Sequence, residues 1–366
     1  MPLDRRQILQ AGLTLTALAP WAAAQARKPT RTAALNLPIK ISGNENPWGP
    51  GPKARAAIAA SIDSGSRYGS QSYAKLIDAI AVKERVDRDR IVLGSGSGEL
   101  LHVLAIAYCE RGQMVCAWPT FNQLPSYAEK LGCEVVKVPV DAALRHDLDA
   151  LSAATSANTA LLYLCNPNNP TGTVLGGPRL LEFAAKMSER TLVVSDEAYL
   201  ELCEPGATAS LVELVRRDAN VVVLRTFSKI HGLAGLRIGY AVARPDIAQR
   251  LRRFQTVFPN TPGLEAARAS LDDREFLDST YSLLRADRKR ICDACDQLAL
   301  RYAEPHGNFV FMQVGMPVEK FRAAMKDRRI EVGRSFEPFN DWCRVSVGTS
   351  DETTFFLDAL RAVVRS

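Results

Sequence analysis

Val221-Val222-Val223-Leu224-Arg225-Thr226-Phe227-Ser228-Lys229 reads as a short buried strand that stops at two hydroxyls and a lysine. A continuous aliphatic run bounded by polar residues suits a strand covered on both faces, as in a parallel sheet. Runs of the same texture lie at Met114–Ala117, Glu134–Val138, Leu161–Cys165 and Leu192–Ser195, and Arg90–Leu93 and Leu236–Val242 add two more. Between several of them lie spacers of helical or loop length, such as the apolar stretch Leu100–Tyr108. Upstream, Lys53–Ser61 and Tyr73–Arg85 are predicted helices, the second with Tyr73, Leu76, Ile77, Ile80 and Ala81 at helical spacing. The pattern predicts an α/β fold built on a mostly parallel sheet.

Beyond about Arg250 the texture changes. Arg268–Leu300 reads as one long charged helix, and Asn308–Val314, Ile330–Val332 and Arg344–Val347 read as shorter strands. Thr349-Ser350-Asp351-Glu352 matches a capping box, and the helix after it carries an apolar stripe of Phe356, Ala359, Leu360, Val363 and Val364. These features predict a large domain over residues 53–250 and a smaller α/β domain over 251–366, preceded by an arm over 27–52.

Chemistry gathers where the strands end. A lysine beside hydroxyls at a strand end can hold a carbonyl cofactor as a Schiff base, and Ser228 and Arg237 can grip an attached phosphate. Taken alone, a loop lysine is most often a solvated surface residue, so its neighbours decide. Asn166-Pro167-Asn168-Asn169-Pro170-Thr171-Gly172 follows one strand, and its prolines and glycine fix a turn that aims asparagines over the sheet's carboxyl edge. Ser195-Asp196-Glu197-Ala198-Tyr199 ends another. A carboxylate there is costly to bury without a cation, which a protonated pyridine would supply, although an Asp capping the next helix reads almost as well. Gly94-Ser95-Gly96-Ser97-Gly98-Glu99 joins a strand to a helix and lets backbone N–H groups approach a phosphate. Alone it signals little more than a turn.

Taken together and in this order, these motifs resemble the fold-type I pyridoxal-phosphate aminotransferases, class I/II, and most of all their histidinol-phosphate aminotransferase branch. Asn44-Glu45-Asn46-Pro47 and Ser66-Arg67-Tyr68 match further motifs of that branch, so the resemblance runs from about Asn44 to the carboxyl terminus. It implies a seven-stranded-type sheet, pyridoxal 5'-phosphate as cofactor, and a ping-pong transfer from an amino-acid donor to a 2-oxo acid such as 2-oxoglutarate. It implies that Lys229 forms the internal aldimine, that Asp196 pairs with the pyridine nitrogen, and that Asn169 and Tyr199 bond the phenolic oxygen. Phe121 would stack on the ring. Thr226, Ser228, Arg237 and backbone donors at Gly96, Ser97 and Gly98 would hold the phosphate. Tyr68 would reach the phosphate of a neighbouring subunit in a homodimer. Arg344 would clamp the substrate carboxylate, with Asn46 and Asn308 as lesser contacts and Arg334 near a distal anion. The same lysine, aspartate and phosphate cup also serve pyridoxal-phosphate decarboxylases and C–S lyases. No metal is implied.

Two departures from the branch stand out. Gly98 replaces an acidic residue beside Glu99, which predicts a looser loop. His231 stands two positions after the lysine, where it reads as a packed or solvated ring more readily than as a substrate contact.

The amino terminus reads as an address. Asp4-Arg5-Arg6-Gln7-Ile8-Leu9-Gln10 precedes a mild apolar stretch broken by Pro20 and closed by Ala24-Gln25-Ala26. This order resembles a twin-arginine export signal over residues 1–26, and implies the translocase as a partner, a periplasmic location and no membrane span in the mature form. The net charge of +6 is spread without blocks, which gives no support to nucleic-acid binding. Of eight cysteines, Cys109, Cys116, Cys165 and Cys343 sit in apolar runs as small hydrophobes. Cys292 and Cys295 form a C-x-x-C on a predicted helix with no second pair at zinc-site spacing, which reads as helix-core or inert thiols ahead of a redox or metal role, with a disulfide between them open in an oxidising compartment.

Overall fold

Alternation of apolar residues between two faces builds the central sheet. The structure, a computed structural model, describes residues 37–110 and 112–364. The predicted export signal lies outside these residues. Among the described residues, seven strands pair in the order β2-β8-β7-β6-β5-β3-β4: β2 (Ile91–Gly94), β3 (Gln113–Trp118), β4 (Glu134–Pro139), β5 (Thr159–Cys165), β6 (Leu192–Asp196), β7 (Val221–Thr226) and β8 (Gly239–Ala243). Pairing is parallel from β4 through β7, and β8 runs antiparallel to both of its neighbours. The fold is the α/β architecture on a mostly parallel sheet expected from the strand pattern, and its seven strands match what the resemblance to fold-type I enzymes implies. Val115, Leu162, Leu164, Val193, Val221 and Val223 face one core, while Met114, Cys116, Leu161, Tyr163, Val194 and Val222 face another. Each face is therefore covered, and the strands read as unbroken apolar runs for that reason.

Helices α1 (Pro52–Ser61) and α2 (Ser70–Glu84) precede β2. Helices α3 (Ser97–Tyr108), α4 (Gln123–Lys130), α5 (Leu148–Ala154), α6 (Gly177–Ser188) and α7 (Val212–Arg216) lie between the strands. After β8 come α8 (Pro245–Phe254), α9 (Thr261–Leu271) and α10 (Arg274–Gln297). The single long helix expected over Arg268–Leu300 is thus two. Asp272 and Asp273 part them, and the Asp273 carboxylate accepts from the Lys53 backbone N–H at 3.1 Å instead of continuing a charged helical face. Leu264, Ala266 and Ala267 of α9 pack into the core of the large sheet. The strand expected over Leu236–Val242 begins only at Gly239, because Ala234–Leu236 forms a tight turn and Arg237 adopts a left-handed φ of 57°.

The carboxyl-terminal elements are β9 (Phe309–Gln313), α11 (Val318–Asp327), β10 (Ile330–Val332), β11 (Trp342–Ser346) and α12 (Ser350–Val364). β9 and β11 pair antiparallel, whereas β10 takes β1 (Ile39–Ile41) as a parallel partner. Ile39 and Ile41 therefore join a core with Phe309, Phe321, Phe356 and Leu360. The capping box at α12 closes in both directions: Thr349 N–H donates to Glu352 Oε2 at 2.8 Å, and Glu352 N–H to Thr349 Oγ1 at 3.3 Å. Cys109, Cys116, Cys165 and Cys343 are buried free thiols. Cys292 and Cys295 are free thiols on α10, and Cys295 packs in the core with its Sγ 3.8 Å from Met312 Sδ. No described helix is long and apolar enough to cross a membrane.

Candidate active site

Parallel pairing brings the strand ends to one level. Cys165 on β5 pairs with Asp196 on β6, which in turn pairs with Leu224 on β7, so the turns after all three strands open at the sheet's carboxyl edge. A cleft of about 390 Å³ lies there. Lys229, Asp196, Tyr199, Asn169, Phe121, Thr226, Ser228, Arg237, Ser97, Gly98 and Arg344 all line it, although they come from widely separated stretches of chain.

At one end the groups suit an anion. Ser97 and Gly98 open α3, whose first N–H groups have no intrahelical acceptor. Thr226 Oγ1 donates to Ser228 Oγ at 2.9 Å, and Arg237 Nη1 reaches Ser228 Oγ at 3.5 Å and Ala234 O at 2.9 Å. Gly96 has φ of +81°, and a Cβ built on it would stand 2.2 Å from Arg237 Nη2. Only glycine allows the guanidinium so close to this backbone. Gly98, the residue expected to loosen the loop, stands two positions further on. The space of its absent side chain is filled by Gln123, whose Nε2 donates to Gly98 O at 3.1 Å and lies 3.1 Å from His102 Nε2.

The middle holds the reactive groups. Lys229 Nζ donates to Asn44 O at 3.0 Å and stands 5.1 Å from the centre of the Tyr199 ring. The Tyr199 hydroxyl accepts from Asn44 Nδ2 at 3.1 Å and from Asn169 Nδ2 at 3.4 Å. Of the three asparagines in the turn after β5, only Asn169 reaches the cleft. Asn166 is bonded to Thr208 and Leu175, and Asn168 to Pro119, Thr120 and Thr171, so these two hold the turn itself.

Two neighbouring carboxylates at the end of β6 meet different fates. Glu197 accepts from Arg225 Nε at 3.0 Å and from Leu211 N–H at 2.8 Å, a buried pair satisfied within the protein. Asp196 forms no ion pair among the described residues. Its Oδ2 accepts from the Tyr163 hydroxyl at 3.0 Å and its Oδ1 from Ala198 N–H at 3.2 Å. Burial lifts its carboxyl to about 6. A carboxylate kept at that cost beside a cleft suits a cationic ligand group.

Arg344 on β11 lies at the far wall. Asn169 Oδ1 accepts from its Nη1 at 2.6 Å and Ser42 O from its Nη2 at 2.7 Å, while burial pushes its guanidinium below the ordinary arginine range. It also borders a second cavity of about 710 Å³ that contains Arg334, Arg322 and Lys326. Arg334 faces that cavity rather than the first, with Nη1 donating to Ser335 O at 2.9 Å.

Comparison with known proteins decides the family. The family "Aminotransferase class I and II" matches residues 38–360. The chain belongs to the class I and II aminotransferases. It is 35% identical over 330 residues to the histidinol-phosphate aminotransferase of Moorella thermoacetica, a match covering 89% of this chain and 85% of that protein. It is 38% identical over 323 residues to the aromatic amino acid aminotransferase of Rhodococcus jostii, covering 87% and 88%. The solved histidinol-phosphate aminotransferase of Sinorhizobium meliloti in complex with pyridoxal-5'-phosphate superposes with a TM-score of 0.82 at 30% identity, covering 90% of this chain and 91% of that one. The chain is therefore a pyridoxal-phosphate-dependent aminotransferase. The cleft fits that cofactor: it has an amine for the carbonyl, an unpaired buried carboxylate for a ring cation and an anion cradle at the helix end.

Five expected site residues lie outside the cleft lining: Gly96, which borders it through the Arg237 contact, and four that lie away from it. Asn46 spends its amide on the protein, with Nδ2 donating to Ile230 O at 2.8 Å and Oδ1 accepting from Trp48 N–H at 3.0 Å. Asn308 Nδ2 donates to Glu45 O at 3.0 Å. Arg334 lies in the second cavity, and Tyr68 is fully exposed. His231 is a packed ring, its Nδ1 3.0 Å from Ser270 Oγ and its Nε2 3.5 Å from Glu201 Oε2. Three residues had no role assigned from the sequence: Asn44, quoted there only within a motif, which touches both Lys229 and Tyr199, and Gln123 and Tyr163. A lone hydroxyl within the apolar run Leu161–Cys165 was the available signal for Tyr163.

Proposed function

We propose that this aminotransferase takes its amino group from a donor of histidinol-phosphate or aromatic type and passes it to a 2-oxo acid such as 2-oxoglutarate, in two alternating half-reactions. The observation that carries this reading is the meeting of the Lys229 amine, the buried Asp196 carboxylate and the Arg344 guanidinium in one cleft. The similarity to relatives of both donor types supports the substrate class. Pyridoxal phosphate, when bound, supplies an electron sink for the substrate α-carbon.

The chain's own residues supply the rest. Lys229 would hold the cofactor at its carbonyl carbon and, once the donor's amine has displaced it there, its freed amine would move a proton at the substrate α-carbon. Asp196 pairs with the ring nitrogen, Asn169 and Tyr199 orient the phenolic oxygen, and Phe121 covers the ring face. Thr226, Ser228, Arg237 and the N–H groups of Gly96, Ser97 and Gly98 hold the phosphate. Arg344 grips the substrate carboxylate, and Arg334 meets a distal anion from the second cavity. Asn46 and Asn308 act one step back, bracing the segment that carries Asn44 against Lys229.

Gly96→Ala tests the cradle. Its Cβ must displace the Arg237 guanidinium, and its φ becomes strained. Cofactor affinity is expected to fall about tenfold, the loss of one charge-assisted contact, as read by equilibrium dialysis. An unchanged affinity would remove Arg237 from the phosphate site. The donor reading is tested by screening histidinol phosphate and aromatic and acidic amino acids against 2-oxoglutarate. Formation of pyridoxamine phosphate on adding a donor alone, with histidinol phosphate or an aromatic amino acid fastest, is the expected result. Release of carbon dioxide or pyruvate without amino transfer would overturn it.

The active unit is read as a homodimer. Tyr68, Ile62, Val257 and Phe258 are exposed, and Phe258 touches Tyr73, which leaves an apolar face suited to a second copy that would receive Tyr68. A monomeric mass in solution would refute this. The export reading rests on the amino-terminal sequence, and periplasmic enzyme should disappear on replacing Arg5 and Arg6 by lysine.

A further inference from the structure

We propose that Tyr163 is a positioning residue for the reaction: its buried hydroxyl keeps the neighbouring Asp196 carboxylate ionised and ready for a cationic ring nitrogen. The inference rests on the reading of Asp196 as the ring partner. Tyr163 sits in the middle of β5, opposite Val194 of β6, and no part of it is exposed. Its neighbours on that face are apolar: Met114, Cys116, Leu161, Val194 and Leu224. Phenylalanine would fill this space without the cost of burying a hydroxyl. The hydroxyl donates to Asp196 Oδ2 at 3.0 Å, and this bond accounts for its presence.

The direction of the effect follows from what surrounds the carboxylate. Burial favours the neutral acid at Asp196, and Glu197, the residue that follows β6, pushes the same way. The Tyr163 hydroxyl, Ala198 N–H and the Lys229 ammonium beyond β7 oppose them. Cys165, also on β5 and facing Asp196, stays a thiol because burial pushes it far up, and burial likewise keeps Tyr163 a phenol that can donate. A donor to the charged form stabilises that form. Without the hydroxyl, Asp196 keeps its proton to higher pH, and a neutral acid cannot pair with a ring cation. The other described contact of Asp196, Ala198 N–H, comes from the backbone and survives side-chain substitution.

The test uses full-length holoenzyme dialysed at a series of pH values between about 5 and 9, with retained cofactor measured by absorbance. Wild-type retention should fall on the acid side as Asp196 protonates. In Tyr163→Phe the midpoint of that fall should move up by about one to two pH units, the worth of a hydrogen bond to a charged group, with near wild-type retention at the alkaline end. A folded Y163F protein with the wild-type midpoint would overturn the role of Tyr163. In Asp196→Asn the acid limb due to this carboxylate should vanish. If it persists in D196N, the Asp196 reading itself fails, which separates the two ideas. Should Y163F not fold, Tyr163→Met removes the same hydroxyl and is read by the same shift.

Discussion

Replacement of Lys229 by alanine should abolish transamination, lowering turnover by about 10⁴-fold, and remove the visible absorbance of cofactor bound through the lysine. No other amine is placed to substitute. Among the described residues lining the cleft, Lys229 is the sole lysine, and Arg237 and Arg344 are too basic to act as nucleophiles. The variant should still fold. Lys229 Nζ makes one side-chain hydrogen bond, to Asn44 O, and the strand before it is fixed by its sheet partners rather than by the lysine. Cofactor should remain associated, held through Asp196 and the phosphate cradle but released on dialysis. Stopped-flow mixing with donor and the absorption spectrum check both halves of this expectation. Turnover near that of wild type, with an unchanged spectrum, would refute the assignment.

The sheet was legible because its strands are buried on both faces and so appear as unbroken aliphatic runs. The same property hid register and order, since a run such as Val221–Leu224 does not say that β6 and β8 are the two strands beside it. The break between α9 and α10 was misread for a different reason. Asp272 and Asp273 look like ordinary charges on a helix surface until the tertiary contact to Lys53 N–H is known. At the cleft, the side chains proposed to act by chemistry were visible in the sequence, as Lys229, Asp196 and Arg237 stand at or near strand ends. Residues that act through backbone or at a distance did not. Asn44 contributes its carbonyl to Lys229, which any residue type could offer. Gln123 matters because Gly98 has no side chain, a relation between two positions 25 residues apart. The motif Asn166–Gly172 pointed to the right turn but not to the division of labour inside it, which depends on partners as remote as Thr208.

Asp196→Asn should slow the half-reaction with amino donor by about 10²–10³-fold while the protein still binds cofactor at high concentration. The neutral amide preserves shape and can still accept from Ala198 N–H, so the loss reports the charge together with the acceptor that the Tyr163 hydroxyl uses. The same substitution should stabilise the cofactor-free protein, and pH gives the sign. Burial lifts the Asp196 carboxyl to about 6 in the folded chain, against about 3.9 for an unfolded aspartate. The folded protein therefore holds this proton more tightly than the unfolded chain does. Its contribution to stability is present below about pH 4 and is lost as pH rises through about 6, a change of about 3 kcal/mol at most. Asparagine carries no such term. Urea unfolding of cofactor-free protein should show Asp196→Asn more stable than wild type by about 2–3 kcal/mol near pH 8, with the difference closing near pH 4. Bound cofactor should reverse the order, because the ring cation then repays the buried charge in wild type alone. If the variant matches wild type in both half-reaction rate and pH-dependent stability, Asp196 does not carry a functional buried charge, and the cation seat must be sought elsewhere in the cleft.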